Sequence, residues 1–331
     1  MTRAVDAPAP ADASESGALT PLGIEALDDR FTCRGDEHWE RLWTGGRWLE
    51  GPVYVPAGKY LLFNDIPNDR TLRWDETSGA VSTFEQPCGY RNGQTLDRRG
   101  RVLACEQGGR RVVRTDHDGR TTVIAETFAG RRFNSPNDVV ERSDGSIWFT
   151  DPPYGITSDY EGVRADSELD GCHVYRADPS TGVCEQVTDD FDRPNGLAFS
   201  LDERVLYVAD TGKGHIRALD LVDGRAARDR VFAVVEFGKV DGIRLDATGN
   251  VWVAAGPALH CFHPDGTLVG RLRTPEVSAN LTFGGPKGNR LFVCATTSLY
   301  SALLNINGAA HTDPRPATRR AGAGTRGSAA S

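Results

Sequence analysis

Six oxygen-bearing side chains recur along this 331-residue chain with one spacing. Glu50, Asn92, Asn137, Asn195, Asp241 and Asn280 each stand at the head of an apolar run, and eight residues after each comes a turn residue: Gly58, Gly100, Gly145, Glu203, Gly249 and Gly288. A second apolar run follows, as in Tyr60-Leu61-Leu62-Phe63, Val205-Leu206-Tyr207-Val208 and Val251-Trp252-Val253. Asn and Asp are common turn residues whose side chains satisfy local backbone groups, but a glutamate has no such role. Two carboxylates and four amides, gathered in one place, would be hard oxygen donors. Such a set suits calcium, with magnesium or manganese held less tightly, and it contains no histidine or cysteine to favour zinc.

What could gather them is a repeat. Successive heads are separated by 42, 45, 58, 46 and 39 residues, a period close to that of four-stranded propeller blades. Gly, Pro and Asp-Gly turn signals separate the short apolar runs, as many antiparallel strands require. The fold class expected is all-β: a six-bladed β-propeller of four-stranded antiparallel blades. The first strand of each blade lines the central channel, so the six heads form one ring around the axis. After Asn280 only three strands fit before the chain turns polar, and Trp39-Glu40-Arg41-Leu42-Trp43 supplies the missing outer strand, so the ring closes without an open sheet edge. Residues 21–308 are thus expected as one catalytic domain, with disordered tails at 1–20 and 309–331. Residues 154–170, inside the longest interval, read as an inserted loop, and loops of that length are often functional. A short helix is expected near residues 23–29.

Other function classes fit poorly. The net charge is −8 and the arginines lie among acids, which argues against nucleic acid. No apolar run is long enough for a signal-peptide core or a membrane span. Seven cysteines without a CxxC or Cys/His cluster read as reduced thiols of a cytoplasmic protein. Gly108-Gly109 and Gly284-Gly285 lack the helix that a phosphate loop needs, and no GxSxG elbow is present. His215, His260 and His263 fall at strand or turn positions and read as structural.

Several short motifs carry a family resemblance. Glu50-Gly51-Pro52, Arg132-Phe133-Asn134-Ser135-Pro136-Asn137-Asp138, Thr150-Asp151-Pro152-Pro153-Tyr154-Gly155, Arg193-Pro194-Asn195-Gly196-Leu197 and Asp241-Gly242 resemble the gluconolactonase branch of the senescence-marker-protein (regucalcin)/gluconolactonase family, over about residues 25 to 305. The resemblance implies a six-bladed propeller with a divalent metal in its channel, Ca2+ first and Zn2+, Mg2+ or Mn2+ as alternatives. It also implies hydrolysis of sugar lactones such as glucono-1,5-lactone, a small-molecule substrate. Matched motif by motif, the family's metal ligands fall on Glu50, Asn137, Asn195 and Asp241, four of the six heads. The family's substrate-contacting arginine matches Ser135, a departure that bears on substrate preference.

The mechanism expected has the cation polarise the lactone carbonyl while a carboxylate activates water, Asp241 first and Glu50 second. Asn92, Ser135, Glu106, Asp151 and Tyr154 are the candidate substrate contacts. The related diisopropylfluorophosphatase shares the same glutamate, asparagine and aspartate pattern, so a phosphotriesterase is the alternative within enzymes. A calcium-binding propeller without catalysis is the alternative outside them.

Overall fold

The computed structural model describes residues 20–309. The tails expected at 1–20 and 309–331 lie outside the described residues, apart from Thr20 and Ala309. Six antiparallel sheets follow one another around a ring. Blade 1 runs from Leu49 to Glu85, blade 2 from Arg91 to Ala125 and blade 3 from Val139 to Gln186; blade 4 runs from Pro194 to Val234 and blade 5 from Val240 to Arg273. Blade 6 draws three strands from late in the chain, Ser278–Gly284, Arg290–Ala295 and Ser298–Leu303. Its outer strand comes from early in the chain, His38–Thr44, paired antiparallel with Ser298–Leu303. The closing strand read at residues 39–43 is therefore in place. Each innermost strand packs against the next, and Ser278–Gly284 packs against Leu49–Val55 to complete the circle.

Burial grades outward across each blade. Leu49–Val55 and Pro194–Phe199 are buried along their whole length, because both faces meet neighbouring blades and the ends meet the channel. The outer strands Val81–Glu85 and Arg225–Val234 are largely solvent-facing. Hydrophobic clusters fill the wedges between adjacent sheets. One joins Trp252 and Leu259 of blade 5 to Leu291 and Tyr300 of blade 6; another joins Phe133, Phe149 and Tyr175 near blade 3 to Leu103 and Val112 of blade 2. Burial of this apolar surface at roughly 25 cal/mol per Å² holds blade to blade, since no backbone ladder crosses those wedges.

The turn eight residues after each head follows the expected chemistry with one exception. Gly100, Gly145, Glu203, Gly249 and Gly288 all have positive φ, but in blade 1 the left-handed residue is Lys59, one place after Gly58. Residues 23–29, expected as a short helix, instead contain the strand Ile24–Ala26, paired with Leu268–Arg273 on the outer edge of blade 5. Thr20–Pro21 pairs with His38–Thr44 on blade 6 in the same way. Two blades thus carry a fifth strand. An open sheet edge presents unpaired N–H and C=O groups, and an early segment laid along it satisfies more of them than one isolated helical turn would.

The inserted segment leaves blade 3 after Asp151 and returns at His173. It begins with one helical turn, Tyr154–Thr157, and continues without further strand or helix until blade 3 resumes.

Candidate active site

Five of the six heads sit at an irregularity in their strand, and Asn137 lies just before the strand Val139–Glu141. The pairing register slips between Glu50 and Val53, Arg91 and Gln94, Pro194 and Leu197, Val240 and Ile243, and Ser278 and Asn280. A bulge re-aims a side chain that regular pleating would point into a neighbouring sheet. The backbone at the head is then fixed from the preceding blade. The Asn64 amide donates to Asn92 O at 2.7 Å, Gly93 N–H to Asn137 O at 2.7 Å, and the Thr150 hydroxyl to Asn195 O at 2.8 Å. The Thr211 hydroxyl donates to Val240 O, next to Asp241, at 2.6 Å, and the Cys294 thiol lies 3.7 Å from Glu50 O. The approach is close enough to demand glycine. A Cβ on Gly51, whose φ is +54°, would stand 2.1 Å from Asn92 O.

Four of the six heads, Glu50, Asn195, Asp241 and Asn280, are brought against one another. Glu50, Asn92, Asn137, Asn195 and Asn280 are buried, and Asp241 keeps partial exposure. Glu50 Oε2 accepts from Gly51 N–H at 2.8 Å and from the Asn280 amide at 2.9 Å. Burial nevertheless raises its pKa, more than those two hydrogen bonds lower it, and the Asp138 carboxylate adds to the rise. Asp241 is raised well above the usual carboxylate range, first by burial and then by the negative charges of Glu50, Glu161 and Asp138, with the Asn195 amide opposing. Two buried carboxylates whose ionisation is disfavoured, with only the more distant Arg244 charge opposing at Glu50, form a site that favours added positive charge. The Asn92 Oδ1 atom is buried without a hydrogen-bond partner.

These observations fit a divalent cation. The donors are all oxygen, two can carry charge, and one buried amide oxygen is unsatisfied. Among the described residues no three His, Cys, Asp or Glu side chains gather as a metal cluster; the ring depends on amides for the remainder of its donors.

The expected substrate contacts divide into two groups. Ser135 is fully buried; its hydroxyl donates to Pro152 O at 2.6 Å and accepts from Gly155 N–H at 2.9 Å. Asp151 accepts from Asn134 N–H and Ser135 N–H, both at 2.8 Å, and burial raises its pKa to about 7. Glu106 is held by Arg111 at 2.6 Å and Arg91 at 3.3 Å. These three therefore hold loops in place. Asn92 and Tyr154 remain available. The Tyr154 phenol is pushed up to about 12 by burial; it lies near the Thr211 hydroxyl, the Asp241 carboxylate and the Asn195 amide, and its hydroxyl reaches a well-formed hydrogen bond with none of them. The helical turn of the insertion thus brings Tyr154 to the ring.

Three features escape the repeat pattern. Glu161, farther along the insertion, adds negative charge beside Asp241. Arg244, three residues after Asp241, pairs with Asp138 of blade 3 at 3.2 Å, both buried. Gln107, fully buried just after the second strand of blade 2, has neither polar side-chain atom hydrogen-bonded. The signal for Arg244 and Asp138 was present: each is a charge next to apolar residues of an inner strand, Ile243 and Leu245 for Arg244 and Val139 and Val140 for Asp138.

The chain matches the family model described as "SMP-30/Gluconolactonase/LRE-like region" over residues 48–297. It belongs to that family. Within the SMP-30/gluconolactonase family it is similar to the gluconolactonase of Zymomonas mobilis, at 32% identity over 76% of each chain. It is also similar to the pentonolactonase of Haloferax volcanii, at 29% identity over 76% of this chain and 82% of that one. Among solved structures, a gluconolactonase of Xanthomonas campestris superimposes with a TM-score of 0.82 and 34% identity, covering 88% of this chain and 99% of the other. The matched region takes in five of the six blades and the two inner strands of the sixth, so the family's shared part is the propeller itself.

Proposed function

We propose that this protein hydrolyses a sugar lactone of the glucono-1,5-lactone type, with a divalent cation, calcium by donor chemistry, held by Glu50, Asn137, Asn195 and Asp241. The observation that carries the reading is the pair Glu50 and Asp241. Neither is ion-paired with Lys, Arg or His among the described residues; burial raises the proton affinity of both, and the charge of Glu50 raises that of Asp241 further. The similarity to gluconolactonases over most of the chain supports the choice of substrate class.

Bound there, the cation supplies Lewis-acid stabilisation for the lactone carbonyl and the oxyanion that develops on it. The side chains supply the rest. Asp241 accepts the proton of the attacking water, and its partial exposure gives that water a way in. Glu50 is held by two donors and serves as the fixed second carboxylate. The Asn92 Oδ1 atom accepts a hydrogen bond from a substrate hydroxyl. Tyr154 covers the side of the ring near Asp241 and limits the entry of bulk water.

No helix among the described residues is long and apolar enough to cross a membrane. All seven cysteines are free, which supports a reducing, cytoplasmic setting.

The test is acid release from glucono-1,5-lactone in weak buffer near neutral pH, corrected for spontaneous hydrolysis, before and after EDTA and again with calcium restored. Turnover that disappears on chelation and returns with calcium is the expected result. Metal-replete protein with no rate above background would overturn the reading, and paraoxon would be the next substrate to try.

A further inference from the structure

Most buried polar groups in a folded protein find a partner, and one left without costs about 1 to 3 kcal/mol. Gln107 is 0% exposed, and both its Oε1 and its Nε2 are buried without a partner. No other described residue has both ends of a side-chain amide in that condition. Its backbone is not loose: Gln107 N–H donates to Tyr90 O at 3.2 Å, directly after the strand Val102–Glu106. That end of blade 2 is the end that carries the heads, since Glu106 is paired with Arg91, the neighbour of Asn92.

The inserted segment lies on this side chain. A Cβ at Gly155 would fall 2.6 Å from Gln107 Cβ and 2.9 Å from Ser135 Cβ, so only a glycine lets the segment settle there. The residue before it is Tyr154, whose hydroxyl is also buried and unpartnered and whose ring reaches towards Asn195 and Asp241. Asn92 Oδ1 and Gln94 Oε1, in the same blade as Gln107, are also buried without a partner. The turn that lies on Gln107 of blade 2 thus also reaches the heads of blades 4 and 5.

We propose that Gln107 is a specificity residue that binds a ring hydroxyl of the substrate beneath the insertion, using its amide as donor and acceptor at once. The inference rests on the lactone reading above and sharpens it. An amide that offers both a donor and an acceptor matches a hydroxyl, which does the same; a carboxylate or carbonyl would leave the acceptor end unsatisfied. A site built of such groups rejects an analogue lacking the hydroxyl, because its polar atoms then remain buried and unpaired.

The experiment compares Gln107→Leu with the unaltered protein on two lactones of equal ring size, glucono-1,5-lactone and the hydroxyl-free δ-valerolactone. Thermal stability is measured alongside, as is inhibition by the non-hydrolysable gluconolactam. The expected result is a loss of roughly 10-fold or more in kcat/KM on the sugar lactone, carried by KM. Inhibition by the lactam weakens to a similar extent. Turnover of δ-valerolactone, where measurable, stays within about two-fold, and Tm is unchanged or higher because an unpaired amide has been removed. An equal loss on both lactones, a fall in Tm, or undiminished inhibition by the lactam would overturn the proposal and make Gln107 a support for the insertion. If the unaltered protein turns over neither lactone, the lactonase reading itself fails and takes this inference with it.

Discussion

Asp138 and Asp241 occupy corresponding regions of the inner strands of blades 3 and 5, yet the protein treats them in opposite ways. Asp138 faces Arg244 at 3.2 Å and accepts Val139 N–H at 2.9 Å. Burial still raises its pKa, but the guanidinium works against that rise. Asp241 has an amide for company and three carboxylates pressing on it. The fold can place a cation against a channel carboxylate, and does so for Asp138. At the ring no ion pair engages Glu50 or Asp241 among the described residues, Arg244 acting on Glu50 by its charge alone, and burial still holds both carboxylates above their usual range.

That contrast can be broken at either end. The largest effect is expected from Asp241→Asn, which keeps the shape and removes the proton acceptor. Turnover of glucono-1,5-lactone should fall by about 10³-fold while circular dichroism stays unchanged. Near-normal activity would remove Asp241 from the mechanism. Next comes Arg244→Met, which leaves Asp138 buried without its counter-charge and should cost about 3 to 5 kcal/mol in urea denaturation. Replacing both partners, Arg244→Met with Asp138→Leu, should recover much of that loss; a double variant no more stable than the single one would mean that the pair is not what Arg244 supports.

The smallest effect concerns Asp151, a carboxylate with structural partners only. Its pKa is raised by burial from the usual range to about 7, so the folded state holds the proton more tightly than the unfolded state does. Its contribution is therefore most favourable in acid and is lost as pH rises towards 7. The stability of the unaltered protein relative to Asp151→Asn should accordingly decline between about pH 4 and 7, by at most about 1.4 kcal/mol per pH unit, and level off above. A difference independent of pH would show that Asp151 stays ionised in the fold.

The ring and the propeller were legible because each blade repeats one local instruction, a polar head and a left-handed turn eight residues on. Where that instruction shifts, at Lys59 in place of Gly58, the strand pairing absorbs it. Residues 24–26 were misread because their strand character is conferred by Leu268–Arg273, more than 240 residues away, and nothing local records it. The same holds at the site. Ser135, Glu106 and Asp151 are polar residues near the heads, and the sequence does not show that neighbouring N–H groups, a backbone carbonyl and two arginines already engage them. Glu161 is brought to the ring, and Gln107 is covered, by how the insertion settles, which is set by packing and not by spacing.

His38–Thr44 can pair with Ser298–Leu303 only after the latter has been made. During synthesis the first five blades and the start of the sixth must wait as an open arc, with the early strand unattached. Bringing residue 44 to residue 298 closes a loop of roughly 250 residues, and the entropy lost is modest because it grows only with the logarithm of loop length. The Cys294 thiol that lies beside Glu50 O arrives with the same late stretch of chain. A chain released before residue 298 therefore stays an arc whose two ends lack the strand pair that joins them, so catalytic competence doubles as a mark that translation has passed the last strand of the propeller.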